Sequence, residues 1–396
     1  MTRGGKQLSL LPGAASTDPT GAPPTPGAVA RAFDPARLTQ ARQLAGKTKK
    51  DVAASVGVTA AAVGQYESGM TKPRPDLIPR LAGELRVPIA FFISGRPHAR
   101  LDASGAHFRN LRSARAWQRD KAIAHVKQVW ELTLALEKRV QLPAVDLPGF
   151  AGGEVHSGVD LPRSPGDAAR ALRASWQLGD GPISHLVRHL EARGIVVDAP
   201  LPSRADREVD AFSIAYLRPI MVLTANRTDD VYRWRFTAAH ELGHLLLHGD
   251  TAPGDTQHER EADAFAAEFL TPRDSILPDL PARVDLRKLV ELRQVWGVSV
   301  DSLLYRCREV GLLSDQAAGR AWRRLAELRH QPGFATESVL RYPGEQPMML
   351  RQAFNLAAKE ISLTVQDIAH ELGWPVRRVE ELLGLTHQRP VLRLVP

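Results

Sequence analysis

A single cysteine, Cys307, occurs in the 396 residues of this chain. No intrachain disulfide can form, which excludes the disulfide-stapled scaffolds of small secreted proteins and favours a reducing, cytoplasmic setting. Apolar runs of membrane-spanning length are missing, so no membrane partner is expected. Leu8-Ser9-Leu10-Leu11 is too short for the core of a secretory signal. Net charge is missing from most of the chain as well. Of 52 basic and 44 acidic residues, residues 1–100 hold 14 and 6, which leaves 38 of each in the other 296. The whole excess of +8 therefore lies in the N-terminal quarter, where it would face a polyanion.

What is present starts with His240-Glu241-Leu242-Gly243-His244, an H-E-x-x-H sequence. On an α-helix, residues four apart share a face, about 6 Å along the axis. Two imidazoles so placed can bind one zinc ion, with manganese as the alternative metal. Glu241 between them can take a proton from the attacking water. Phe236, Ala238, Ala239, Leu242, Leu245, Leu246 and Leu247 make the helix apolar, hence buried. A buried helix does not carry two His and a Glu without a partner for them. Gly249 and a turn over 251–254 should end it. A later stretch, His370-Glu371-Leu372-Gly373, repeats the first four letters, but Trp374 stands where a second imidazole would be, so it reads as plain helix.

A catalytic zinc takes three protein ligands and a water. The next helix, over 258–270, has an apolar stripe of Ala262, Phe265, Ala266, Phe269 and Leu270. Glu261 borders that stripe and is the expected third ligand; Asp263 is placed to orient an imidazole. Glu259, His258, Glu268 and His248 compete. His248 extends the motif to H-E-x-x-H-x-x-x-H, but three turns of one straight helix converge poorly on one ion.

The run Arg235-Phe236-Thr237-Ala238-Ala239-His240 through His248, followed by Glu261-Ala262-Asp263-Ala264-Phe265-Ala266-Ala267-Glu268-Phe269-Leu270-Thr271-Pro272, resembles the ImmA/IrrE family of metallopeptidases over roughly residues 165–275. The resemblance implies that His240, His244 and Glu261 bind zinc and that Glu241 is the catalytic base. It also implies a repressor protein as substrate, because known members cleave repressors in phage, mobile-element or stress regulation. Upstream, residues 183–193 have helical periodicity, 195–197 read as a short strand, and 211–216 with 219–223 read as a strand pair. A sheet edge beside a zinc site can hold an extended peptide.

The N-terminal part carries an independent signal. Short helices are expected over 35–44, 49–55, 59–67 and 77–85, with Val56-Gly57-Val58 as the turn of a helix-turn-helix. The stretch from Thr48 to Gly69 resembles the Cro-type, or XRE, DNA-binding domain. Thr59 would cap a recognition helix that opens Ala60-Ala61-Ala62, with Gln65 as its clear base reader. Lys49, Lys50, Lys72 and Arg74 are the candidate phosphate contacts on double-stranded DNA. Helix-turn-helix proteins often dimerise, so a homodimer is admitted, although no zipper pattern occurs.

These readings give a mostly α multidomain protein with a helix-turn-helix bundle, a small α+β zincin-like metallopeptidase core and a C-terminal helical region. The expected boundaries are a disordered tail over 1–33, the DNA-binding domain over 34–95, and a basic connector, helix and linker over 96–164. The peptidase domain follows over 165–275 and the helical region over 276–396. Residues 363–379 again have helix-Gly-helix punctuation, with a packing role preferred over DNA because Glu380-Glu381 follow. The function expected is a DNA-binding regulator with zinc endopeptidase activity against a repressor. A regulator whose peptidase-like domain is an inactive sensor, and the antitoxin of a toxin–antitoxin pair, are the alternatives.

Overall fold

The computed structural model describes residues 23–93, 106–107, 115–148, 161–199, 211–214, 218–223, 230–248, 256–328, 331 and 333–385. The expected tail over 1–22, the stop at Gly249 and the turn over 251–254 lie outside the described residues. The chain divides into two compact units, one joining residues up to 99 with 365–379, the other holding 100–364 and the remaining C-terminal residues.

The first unit begins with a helix where a disordered tail was expected. α1 (Pro26–Arg31) has Thr25 as its cap and proline in its first turn, and it buries Val29 and Ala30. Of the expected tail, residues 26–31 are thus helical, because Pro-rich composition hides one short capped turn. α2 (Pro35–Leu44) is capped by Asp34. α3 (Lys49–Val56) starts on a reciprocal capping box of Thr48 with Asp51 and stops at Gly57, whose φ of 70° suits glycine. α4 (Ala60–Glu67) starts on Thr59, and α5 (Ile78–Leu85) closes the bundle. Arg42 on α2 grips Glu67 at the end of α4 with two hydrogen bonds, one of 3.1 Å from Nη2 to Oε2. Phe91 and Phe92 fill the core below.

The second unit is built on α6 (Ala116–Glu137), α7 (Pro165–Ser175), α8 (Leu186–Ala192), α9 (Val231–Leu247) and α10 (Thr256–Leu270). α11 (Arg273–Ile276), α12 (Leu286–Trp296), α13 (Val300–Glu309), α14 (Asp315–Leu328) and α15 (Met349–Ile361) follow. A four-stranded sheet has the order β1 (Ala106–His107), β3 (Phe212–Ile214), β4 (Ile220–Val222), β2 (Val196–Asp198). β3 pairs antiparallel with β4 and with β1, and β2 runs parallel to β4. One hydrophobic core runs from Leu147 through α7–α10 to Leu289, Leu303, Cys307, Leu325 and Val339. The boundary expected at 275 therefore falls inside a continuous core. Helices α12 to α14 pack on one another in sequence and contribute their buried apolar residues to that same core.

Buried ionic contacts fix α9. Arg235 donates from Nε to Gly297 O at 2.8 Å and from Nη2 to Ile183 O at 2.6 Å, and its Nη1 pairs with Glu345. Glu345 in turn accepts from the amides of Leu186 and Val187 at the start of α8.

Past α15 the chain returns to the first unit with α16 (Val365–Leu372) and the start of α17 (Val376–Leu382). Gly373, at φ 62°, lies so close to the Ala90–Phe91 backbone that a Cβ would stand 2.9 Å from Ala90 O. Residues 365–379 thus pack within the helix-turn-helix unit, in keeping with the packing role preferred for this segment.

Candidate metal centre and nucleic-acid interface

Asp230 caps α9 by accepting from the amides of Tyr232 and Arg233 at 3.1 and 3.2 Å. Nearly three turns on, the helix turns His240 and His244 to one buried face. Their Nε2 atoms are 3.0 Å apart. Glu259 Oε2 lies 3.4 Å from His240 Nε2 and 3.6 Å from His244 Nε2. Three ligands at roughly 2.0–2.1 Å around a tetrahedral ion stand about 3.3–3.4 Å from one another. The three measured edges bracket that value, so the donor set fits a tetrahedral cation such as zinc, with the fourth position left to water or substrate.

The carboxylate that the structure brings to His240 and His244 is that of Glu259, and not that of Glu261, the expected third ligand. Glu261 faces away and bonds His248 Nε2 through its Oε2 at 2.9 Å. The reason lies in the helical phase of α10. Glu259 is three residues before Ala262 and seven before Ala266, so it continues the buried stripe, whereas Glu261 sits on its margin. The stripe, extended one step toward the N-terminus, was the available signal.

Gly243 makes the approach of the two helices possible. A Cβ there would lie 3.1 Å from Phe265 Cδ1 and 3.3 Å from Ala262 Cα. Glu241 is buried, and Ser213 on β3 donates to its Oε2 at 2.8 Å. Ser213 went unnoticed in the sequence; a lone hydroxyl between Phe212 and Ile214 in an apolar strand was its only signal. Asp263 Oδ1 meets His240 Nδ1 at 2.8 Å, the orienting contact expected of it. Burial pulls the His240 imidazole down, but Asp263 and Glu259 outweigh it and hold the group up at about 9. Burial likewise raises Glu259, yet its hydrogen bonds to His240 and His244 prevail and hold it at about 2. Burial pushes the Glu241 carboxyl up. Three carboxylates around two imidazoles make a centre that favours positive charge.

In the other unit, Lys49, Lys50, Thr59, Ala60, Ala61, Gln65, Lys72 and Arg74 are all exposed. Three of the cations also have internal partners. Lys49 Nζ is 3.5 Å from Glu67, Lys72 donates to Arg31 O at 2.6 Å at the end of α1, and Arg74 is 3.5 Å from Asp76. Among the described residues no helix is long and apolar enough to cross a membrane.

Fold and site together define a DNA-binding regulator with a peptidase-like domain. Residues 38–92 match the helix-turn-helix family, and residues 191–308 match the IrrE N-terminal-like domain of the peptidase M78 family. The two domains stand in the order that the sequence motifs indicated, and the second match reaches well past residue 275. No curated protein matches the chain significantly.

Proposed function

We propose that this protein binds double-stranded DNA through α3 and α4 and hydrolyses a repressor protein at a metal centre formed by His240, His244 and Glu259. The observation that carries the reading is the set of three donor atoms at tetrahedral spacing beside the buried carboxylate of Glu241. A zinc ion bound there, or manganese in its place, would polarise the scissile carbonyl and acidify water. Glu241 takes the proton of the attacking water and passes it to the leaving amine. Ser213 holds Oε2 of that carboxylate, which leaves Oε1 as the proton-accepting atom. Lys50, Thr59, Ala60, Ala61 and Gln65 supply the DNA face, with Lys49, Lys72 and Arg74 joining it where phosphate displaces their internal partners.

The test is mass spectrometry of the full chain, with zinc or manganese, incubated with the repressor encoded beside it. One or more defined cuts are expected, lost in Glu241→Gln while metal content stays near one per chain, since Gln cannot accept the proton. Glu259→Ala should lose the metal. An intact substrate under all conditions would favour the regulator with a sensing domain. Loss of cleavage with full metal retention in Glu259→Ala would remove that residue from the ligand set.

A further inference from the structure

Glu261 belongs to a second cluster, with His248 and His258, whose donor atoms lie within 4.8 Å of one another. By residue type this could be another metal site. The protons decide otherwise. An imidazole that gives Nε2 to a cation keeps its proton on Nδ1, and that N–H needs an acceptor. For His240 the acceptor is Asp263, at 2.8 Å. For His244, Nδ1 stands 3.1 Å from Nδ1 of His248. Paired in this way, His248 accepts on a bare Nδ1 and carries its proton on Nε2, 2.9 Å from Glu261 Oε2. Gln257 Nε2 donates to the other oxygen of Glu261 at 2.9 Å and holds the carboxylate in place. The His258 ring lies against His248 with centroids 4.4 Å apart. A cation on His248 Nε2 would instead put a proton on its Nδ1, facing the Nδ1–H of His244, two donors 3.1 Å apart.

We propose that His248 and Glu261 are positioning residues, a hydrogen-bond relay from His244 Nδ1–H to His248 and from His248 Nε2–H to Glu261. It fixes the tautomer and ring plane of His244, as Asp263 does directly for His240. The relay rests on the reading of His240 and His244 as metal ligands. It gives Glu261 a role toward the metal through two imidazoles rather than by contact.

The experiment measures zinc stoichiometry and affinity by chelator competition on the full-length protein, with ¹⁵N-histidine NMR to read the tautomer of His248. Expected are one zinc per chain and a His248 protonated on Nε2 with Nδ1 bare. Glu261→Ala and His248→Ala should each bind zinc about 10–100-fold more weakly. Glu261→Gln, whose amide oxygen still accepts from Nε2–H, should recover most of that loss; this rescue separates the relay from a merely structural effect. Two zinc per chain, falling to one in Glu261→Ala, would overturn the relay in favour of a second metal site. A proton on His248 Nδ1, unchanged affinity in both alanine variants, or a Glu261→Gln as weak as Glu261→Ala would also overturn it. Zinc that survives the double change His240→Ala and His244→Ala would instead strike the underlying metal assignment, a result the Glu261 variants cannot mimic.

Discussion

Glu191, on the last turn of α8, buries its carboxylate against the start of α15 and accepts from the amides of Met348 and Met349. Burial pushes its pKa up from 4.5 to about 7, although the two amides pull the other way. The native state therefore holds a proton that the unfolded chain has released between about pH 4.5 and 7. The stability contributed by this group is complete below about 4.5 and is lost as pH rises through about 7. Glu191→Gln keeps an acceptor oxygen and removes the titration. Urea melts at pH 5 and pH 8 should show the variant declining less over that interval, with a difference on the order of 1–3 kcal/mol. Equal declines in the two proteins would exclude Glu191 as the source. At this scale His240, Glu241 and His244 were legible because five consecutive residues of one helix carry them. Ser213 was not, because its contact with Glu241 joins residues 28 positions apart across an unconnected strand and helix. Glu259 was legible in kind but not in place, since two acidic residues flanked the same stripe two positions apart.

Helix α10 brings Glu259 to the two histidines only because Gly243 lets it lie close to α9. The valine of Gly243→Val would add three carbons where Phe265 and Ala262 already touch the gap. Overpacking of this kind costs about 1–3 kcal/mol and is relieved here by moving α10 outward. The expected result is a lower melting temperature together with weaker zinc binding, while DNA affinity stays unchanged. Unaltered zinc affinity in a destabilised Gly243→Val protein would show that Glu259 does not depend on this approach. The elements themselves were readable from local chemistry: Thr48, Thr59 and Gly57 mark their helix ends by capping. The extent of the second core was not. Helices α12 to α14 show ordinary amphipathic spacing, which says that they are covered but not by what.

The DNA-binding unit draws on both ends of the chain, and that topology carries no local signature in the sequence. Gly373, in the returning segment, has a positive φ as well as a close backbone neighbour. Gly373→Val should destabilise this unit by about 1–3 kcal/mol and weaken DNA binding near its melting temperature, with zinc content untouched. The salt dependence at lower temperature should keep its slope, about 0.9 per phosphate contact, because no cation has changed. A variant with normal DNA-unit stability would show that the 365–379 segment is dispensable there. The double visit also has a consequence in time. On the ribosome, the helix-turn-helix bundle emerges first but lacks its last packing partner until Val379 has been made, about 280 residues later. At roughly 5–20 residues per second that delay is on the order of 15–60 s. The peptidase-like unit is synthesised within that interval, so the first unit to be made is the one that waits for the end of the chain to complete its packing.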